Sequence, residues 1–144
     1  MKVKHAMILA GGLGTRMRPL TLETPKPLIK VGSKNLLERS INLLESHGVE
    51  QIIINVHHLA DQIEKFISDF KSRVKITISN EKDLLLDTGG GVKKGTQIFE
   101  KKPFFVLNPD TLWLNNYLEE MKSLEKIFFT SKKPCLLLVN KRLS

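Results

Sequence analysis

Gln51-Ile52-Ile53-Ile54-Asn55-Val56 is the stretch that most narrows the fold. A near-continuous β-branched run of this kind belongs to strands covered on both faces, the habit of parallel sheets. Parallel neighbours need a crossover between them, usually a helix. The flanking sequence supplies two. Leu37, Ile41 and Leu44 recur at helical spacing ahead of the run, and Gly48 stands where the helix should end. Behind it Ile63, Phe66, Ile67 and Phe70 trace a second stripe, with Asp61 near the helix start, where a negative charge suits the dipole.

The alternation continues along the chain. Met7-Ile8-Leu9 ends a buried strand, and Val74-Lys75-Ile76-Thr77-Ile78-Ser79 alternates apolar and polar as a half-buried strand nearer an edge. Leu28-Ile29-Lys30-Val31 is a short apolar segment from which Gly32-Ser33 turns the chain toward the first helix. Residues 80–87 read as a loop or an irregular strand. Gly89-Gly90-Gly91 opens a helical segment through Ile98 and Phe99, stopping before Pro103, and Phe104-Phe105-Val106-Leu107 is a further buried strand. Leu118, Met121, Leu124 and Phe128 space another helix, and Lys133-Pro134 leads into a last strand at Cys135-Leu136-Leu137-Leu138-Val139. Strand following helix in this order predicts an α/β domain of three layers, with a mostly parallel sheet and right-handed crossovers. No repeat, low-complexity run or linker divides residues 1–144, so one domain is expected.

Lys plus Arg exceed Asp plus Glu by 23 − 15 = 8, a balance that suits a polyanionic ligand. Nucleic acid is a poor fit. The basic pairs Lys93-Lys94, Lys101-Lys102 and Lys132-Lys133 are scattered, and seven Phe, one Trp and one Tyr leave few stacking platforms. The single cysteine, Cys135, forbids an internal disulfide and points to a reducing cytoplasm, with no catalytic part for its thiol. The N-terminal apolar run is short and leads into glycine rather than a cleavage site. No stretch approaches the roughly 20 apolar residues that span a bilayer. A cytoplasmic protein with no membrane partner is the expectation.

The chemistry concentrates after the first strand, in Met7-Ile8-Leu9-Ala10-Gly11-Gly12-Leu13-Gly14-Thr15-Arg16-Met17-Arg18-Pro19-Leu20-Thr21, closed by Pro25-Lys26-Pro27-Leu28. Glycines at 11, 12 and 14 permit positive φ and close approach of a ligand to the backbone. Successive amides in such a turn hold anionic oxygens. Arg16, Arg18 and Lys26 add cations, the last fixed between two prolines. Neither common phosphate loop is matched. Gly12-x-Gly14 is followed by Met17 and soon by Pro19, not by the third glycine of a dinucleotide fingerprint, and no Walker sequence occurs here or at Gly89-Gly90-Gly91-Val92-Lys93-Lys94-Gly95.

Ligands of open α/β sheets bind beyond the carboxyl ends of the strands. The turn at 11–16, the 87–91 segment and Asn108-Pro109-Asp110 all follow strands, so they should share one mouth. Asp110, leaving a buried apolar strand, is the expected ligand for Mg²⁺; its plainer reading is a cap for the next helix. His57 and His58 follow a strand at adjacent positions, point to opposite faces and read as structural, as does Trp113.

Leu9-Ala10-Gly11-Gly12-x-Gly14-Thr15-Arg16-x-x-Pro19-Leu20-Thr21 with Pro25-Lys26-Pro27-Leu28 resembles the signature of the sugar-1-phosphate nucleotidylyltransferases. Leu85-Leu86-Asp87-Thr88-Gly89-Gly90-Gly91 resembles that family's second nucleotide-contacting segment. Asn108-x-Asp110 matches its pattern too, although Pro109 fills a position usually small or glycine. Within the family the chain looks closest to the short bacterial branch, with mannose-1-phosphate guanylyltransferases and N-acetylmuramate-1-phosphate uridylyltransferases. The resemblance implies a three-layer Rossmann-like nucleotidyltransferase fold. Family members continue further, with more strands, a sugar-binding region and a second acidic metal ligand. It therefore also implies that residues 1–144 are the nucleotide-binding part of such a domain, truncated on its C-terminal side.

The implied reaction is attack by the phosphate of a sugar 1-phosphate on the α-phosphorus of an NTP, releasing pyrophosphate. The implied catalytic residues are Arg16, neutralising the β- and γ-phosphates, Lys26, bridging phosphate oxygens near the attacking group, and Asp110, carrying Mg²⁺. Leu9, Ala10, Gly11, Gly12, Gly14 and Thr15, with Asp87, Thr88, Gly89, Gly90 and Asn108, would bind substrate. GTP with mannose 1-phosphate and UTP with N-acetylmuramate 1-phosphate both remain open. A non-catalytic nucleotide-binding or regulatory homologue is the rival; the loop spacing disfavours a dinucleotide-dependent oxidoreductase. Apolar sheet surface left by a missing half would favour a homo-oligomer.

Overall fold

The structure is a computed structural model and describes residues 1–81, 86–131 and 133–135. Its centre is a four-stranded, wholly parallel sheet of β1 (His5–Leu9), β4 (Gln51–Val56), β5 (Lys75–Asn80) and β6 (Phe104–Leu107), in the order β5-β4-β1-β6. β1 is flanked on both sides, with Ile8 opposite Ile54 of β4 and Leu107 of β6. The 51–56 run is therefore an inner strand, as its composition predicts, and β5 lies at an edge.

Strand alternation sorts the core into two layers. Ala6, Ile8, Ile52, Ile54 and Val56 face one way, against Leu37, Ile41 and Leu44 of α2 (Leu36–His47), Ile63 of α3 (Ala60–Asp69) and Met121 of α5 (Tyr117–Ser131). Met7 and Ile53 face the other way, under α4 (Thr88–Gly95) and the 3₁₀ turn Thr96–Phe99, whose Phe99 is buried with them. The three layers are present. α2 starts on Asn35, whose side chain accepts from Glu38 N at 2.7 Å, and stops at Gly48 with φ +98°.

Three local features differ from the sequence expectation. Gly32-Ser33 does not lead straight into α2 but closes a two-residue antiparallel ribbon, β2 (Lys30–Val31) with β3 (Lys34–Asn35). A four-residue helix, α1 (Leu20–Glu23), follows Pro19. β6 is less covered than an inner strand: Val106 is 45% exposed because β6 ends the described sheet. Cys135 is exposed, and the strand expected through 136–139 lies outside the described residues. Among the described residues no helix is long and apolar enough to cross a membrane.

Glu45 near the end of α2 fastens the chain entering β5. Arg73 Nε and the Ser72 hydroxyl donate to it at 2.8 and 2.9 Å. The Arg73 hydrogen bond holds the Glu45 carboxyl below the usual carboxylate range; partial burial opposes it and Ser72 reinforces it. A lowered folded pKa adds stability that is fully present above the unfolded pKa and lost as the pH falls through the folded one. Glu45→Gln should cost about 0.5–1 kcal/mol near neutral pH, the scale of an ion pair whose cation, Arg73, lies in solvent. The gap to wild type should be full at neutral pH and close as the pH falls through and below the ordinary glutamate range, as read by denaturant unfolding at each pH.

Candidate active site

Because all four strands run the same way, the segments that follow β1, β5 and β6 emerge on one edge. β1 ends at Leu9, and Ala10 continues inward, 2% exposed, its amide donating to Asn55 Oδ1 at 2.9 Å. Gly11 lies directly over that carboxamide: a Cβ there would stand 2.9 Å from Asn55 Nδ2. Gly12 meets nothing within 4 Å and shows no positive φ. Gly14 alone in the turn takes the left-handed conformation, φ +64°, and its carbonyl accepts from the Thr21 hydroxyl at 2.6 Å. The three glycines thus do three different things, and positive φ is needed at only one.

Thr15–Met17 forms a 3₁₀ turn that leaves Arg16 exposed at the edge. Thr21 is 1% exposed, and its carbonyl accepts from His58 Nε2 at 2.8 Å. His57 Nδ1 donates to the carbonyl of Glu81 at 2.7 Å. Both histidines fasten backbone, one on each side of β4's end.

Lys26 opens a second 3₁₀ turn, Lys26–Leu28, with buried prolines on either side. Its Nζ lies 2.8 Å from Asp110 Oδ2. Asp110 caps no helix, since α5 begins only at Tyr117. Asn108 is exposed, and its carbonyl accepts from Trp113 Nε1 at 2.9 Å. Trp113 also meets Tyr117 edge-on, with ring centroids 5.0 Å apart, and so packs the loop after β6. On the other flank Asp87 caps α4: its carboxylate accepts from Gly90 N at 2.6 Å. Thr88 and Gly89 begin the helix, exposed, while Gly91 sits over Asn55 and Glu81.

Two meetings therefore build the edge. Lys26 is joined to Asp110, and the 11–16 turn is joined to α4 through Asn55 and Glu81. No three potential metal ligands cluster among the described residues.

A family profile described as nucleotidyl transferase matches residues 5–131. The chain belongs to that family. This nucleotidyl transferase chain is 40% identical over 116 residues to the N-acetylmuramate alpha-1-phosphate uridylyltransferase of Caulobacter vibrioides, covering 78% of the chain and 48% of that protein. It is 40% identical over 109 residues to a mannose-1-phosphate guanyltransferase of Neurospora crassa, covering 73% of the chain and 30% of that protein. Among solved structures, HddC from Yersinia pseudotuberculosis superposes with a TM-score of 0.69 at 34% identity, over 84% of this chain and 54% of that one. HddC has also been solved complexed with GMP-PN. The chain spans about half the length of the first of these relatives and less than a third of the second.

Sequence reasoning passed over Asn55 and Glu81, although they are 6% and 2% exposed. The available signal was a lone amide inside a β-branched run, where an apolar residue is the ordinary choice. The sequence marks Thr21 and His58 but not the link that joins them to Gly14.

The glycine geometry sets an order of tolerance that chemical denaturation can read. Gly12→Ala should leave stability within about 0.5 kcal/mol, as at an open surface position. Gly14→Ala should cost about 1–3 kcal/mol, because it joins left-handed strain to a contact of 2.9 Å with Thr21 Cγ2. Gly11→Ala should cost clearly more than Gly12→Ala, since the buried Asn55 carboxamide has to move.

Proposed function

We propose that this chain is the nucleotide-binding part of a sugar-1-phosphate nucleotidylyltransferase, taking UTP or GTP with a sugar 1-phosphate such as N-acetylmuramate 1-phosphate or mannose 1-phosphate. The observation that carries the reading is the meeting of Lys26 with Asp110, which follows β6, the strand paired with β1 from which the 11–16 turn leads, within a chain of this family. A cation and a carboxylate held together there are the pair that a metal-bound triphosphate can part.

In this reading an oxygen of the sugar phosphate attacks the α-phosphorus, and the bond to the bridging oxygen breaks, pyrophosphate carrying away the electron pair. Such transfers ask mainly for positioning and charge neutralisation. The amides of Gly11, Gly12 and Gly14 and the open space over Gly12 receive the nucleotide. Arg16, exposed on its 3₁₀ turn, balances the β- and γ-phosphates. Lys26 leaves Asp110 for the oxygens of the reacting phosphate. Asp87, Thr88, Gly89 and Gly90 line the other wall from the start of α4, and Leu9, Ala10, Thr15 and Asn108 complete the rim.

Asp110 would hold Mg²⁺. A single carboxylate suits a hard ion that takes its remaining ligands from phosphates and water. Bound there, the ion would supply charge neutralisation to the triphosphate.

The test is pyrophosphate release by this chain over a panel of NTPs, each with mannose 1-phosphate and with N-acetylmuramate 1-phosphate, beside calorimetric NTP titrations with and without Mg²⁺. Release with one NTP and sugar pair is expected. Arg16→Ala and Lys26→Ala should each lower it by about 10³-fold or more, on the scale of an arginine finger. Lys26→Ala with nearly intact turnover contradicts the role given to Lys26, and nucleotide binding without turnover favours a non-catalytic binding protein.

A further inference from the structure

We infer that Asn55 is the positioning residue of the nucleotide cleft, its one carboxamide setting both the turn after β1 and the start of α4; the inference rests on the nucleotide-site reading above. Asn55 pairs with Leu9 of β1 and Ser79 of β5 at the carboxyl ends of the strands. It shares its strand face with Ile53, which is buried beneath α4. An apolar residue would extend that layer. The amide does something else.

Its Oδ1 accepts from Ala10 N at 2.9 Å and its Nδ2 donates to Glu81 Oε1 at 3.2 Å. The Ala10 amide can only donate, so it fixes which way the carboxamide faces. Both glycine walls then rest on the same group: a Cβ at Gly11 would stand 2.9 Å, and one at Gly91 3.1 Å, from Asn55 Nδ2. Gly91 is equally close to Glu81 Oε1, at 3.1 Å. The turn and the helix therefore lie as near each other as this pair allows.

Glu81 is itself held in place. Its amide donates to Val56 O at 2.8 Å, and its carbonyl accepts from His57 at 2.7 Å. Its Oε2 is buried with no partner among the described residues. Among the described residues the Asn55 N–H is thus the donor that anchors this carboxylate, and removing it takes a hydrogen bond from a buried acceptor, which is costly. Asn55 and Glu81 are too deeply buried to touch a ligand from where they stand. Their influence passes through the placement of Gly11 and Gly91, and a misplacement of about 1 Å is enough to cost about 10²-fold in a reaction.

Asn55→Asp keeps the acceptor for Ala10 but turns a second acceptor toward Glu81. Adding Glu81→Gln restores the bond in the reverse direction, Gln donating to Asp. Calorimetric titration of the chain with UTP, GTP, CTP and ATP in Mg²⁺ should show N55D binding the preferred NTP at least about tenfold more weakly. The N55D/E81Q pair should return to within about threefold of wild type. Hydrogen exchange at the amides of residues 10–14 should quicken in N55D and slow again in the pair, in step with affinity.

N55D that binds as wild type does, or a folded reversed pair as weak as N55D, overturns the assignment. Should N55D fail to fold, the reversed pair decides against wild type on the same two measurements, and its own failure to fold also overturns the assignment. Wild type that binds none of the four NTPs removes the nucleotide-site reading and this inference together. Wild type that binds while N55D is unchanged removes this one alone.

Discussion

Parallel pairing of β1 between β4 and β6 is the constraint on which the rest depends. It places Ile8 opposite both Ile54 and Leu107, so the chain leaves β1, β4 and β6 side by side at one edge. A register shift of one residue would turn every side chain of β1 to the opposite face and exchange the two core layers. Ala6 and Ile8 belong to the larger layer with α2, α3 and α5, and Met7 to the smaller one with α4. Register and layering are thus the same fact seen twice. The edge chemistry inherits its precision from them.

What sits over that edge is decided by how closely backbone can approach side chain. Gly91 and Gly95 lie on one face of α4, and a Cβ at Gly95 would come within 3.0 Å of Met7 Cε and 3.1 Å of Ile53 Cγ2. α4 therefore packs on the sheet with its backbone, whereas α2 packs through Leu37, Ile41 and Leu44. The short distance brings the capped start of α4 down beside Gly11. Asp87 spends its carboxylate on the Gly90 amide, which stiffens that start rather than leaving a free acid in the cleft. On the opposite flank, Thr21 and His58 fasten the carbonyl of Gly14 to the end of β4.

Much of this was legible in the sequence, and the reason is locality. The helical stripes, the β-branched run of β4, the alternation of β5 and the cap at Gly48 are all written within one element each. Lys26 and Asp110 are 84 residues apart, yet both could be named because each occupies a marked place, one between prolines and one just past a strand. Asn55 and Glu81, 26 residues apart, carry no mark of their partnership, since the lone amide in the β-branched run singles out Asn55 but says nothing of Glu81. Their meaning lies in a pairing that exists only once β4 and β5 are adjacent. The glycines fail for a different reason: the residue type permits positive φ and close approach alike, and only the folded chain separates Gly14, which uses the first, from Gly11, which uses the second.

The Lys26 to Asp110 contact shows how a site can be stable and still yield. The two side chains are 24% and 42% exposed, and an ion pair so open contributes about 0.2–1 kcal/mol. It orders both groups at the edge without holding either firmly. Under the proposed function a phosphate competes for Lys26 through charge-assisted hydrogen bonds about twice as strong as neutral ones. A divalent ion competes for Asp110. Either ligand arriving alone leaves one member of the pair without its opposite charge, whereas a metal-bound polyphosphate satisfies both together. The weakness of the pair thus favours the combined ligand over its separate parts, and that preference follows from two charges on neighbouring loops rather than from any deep pocket.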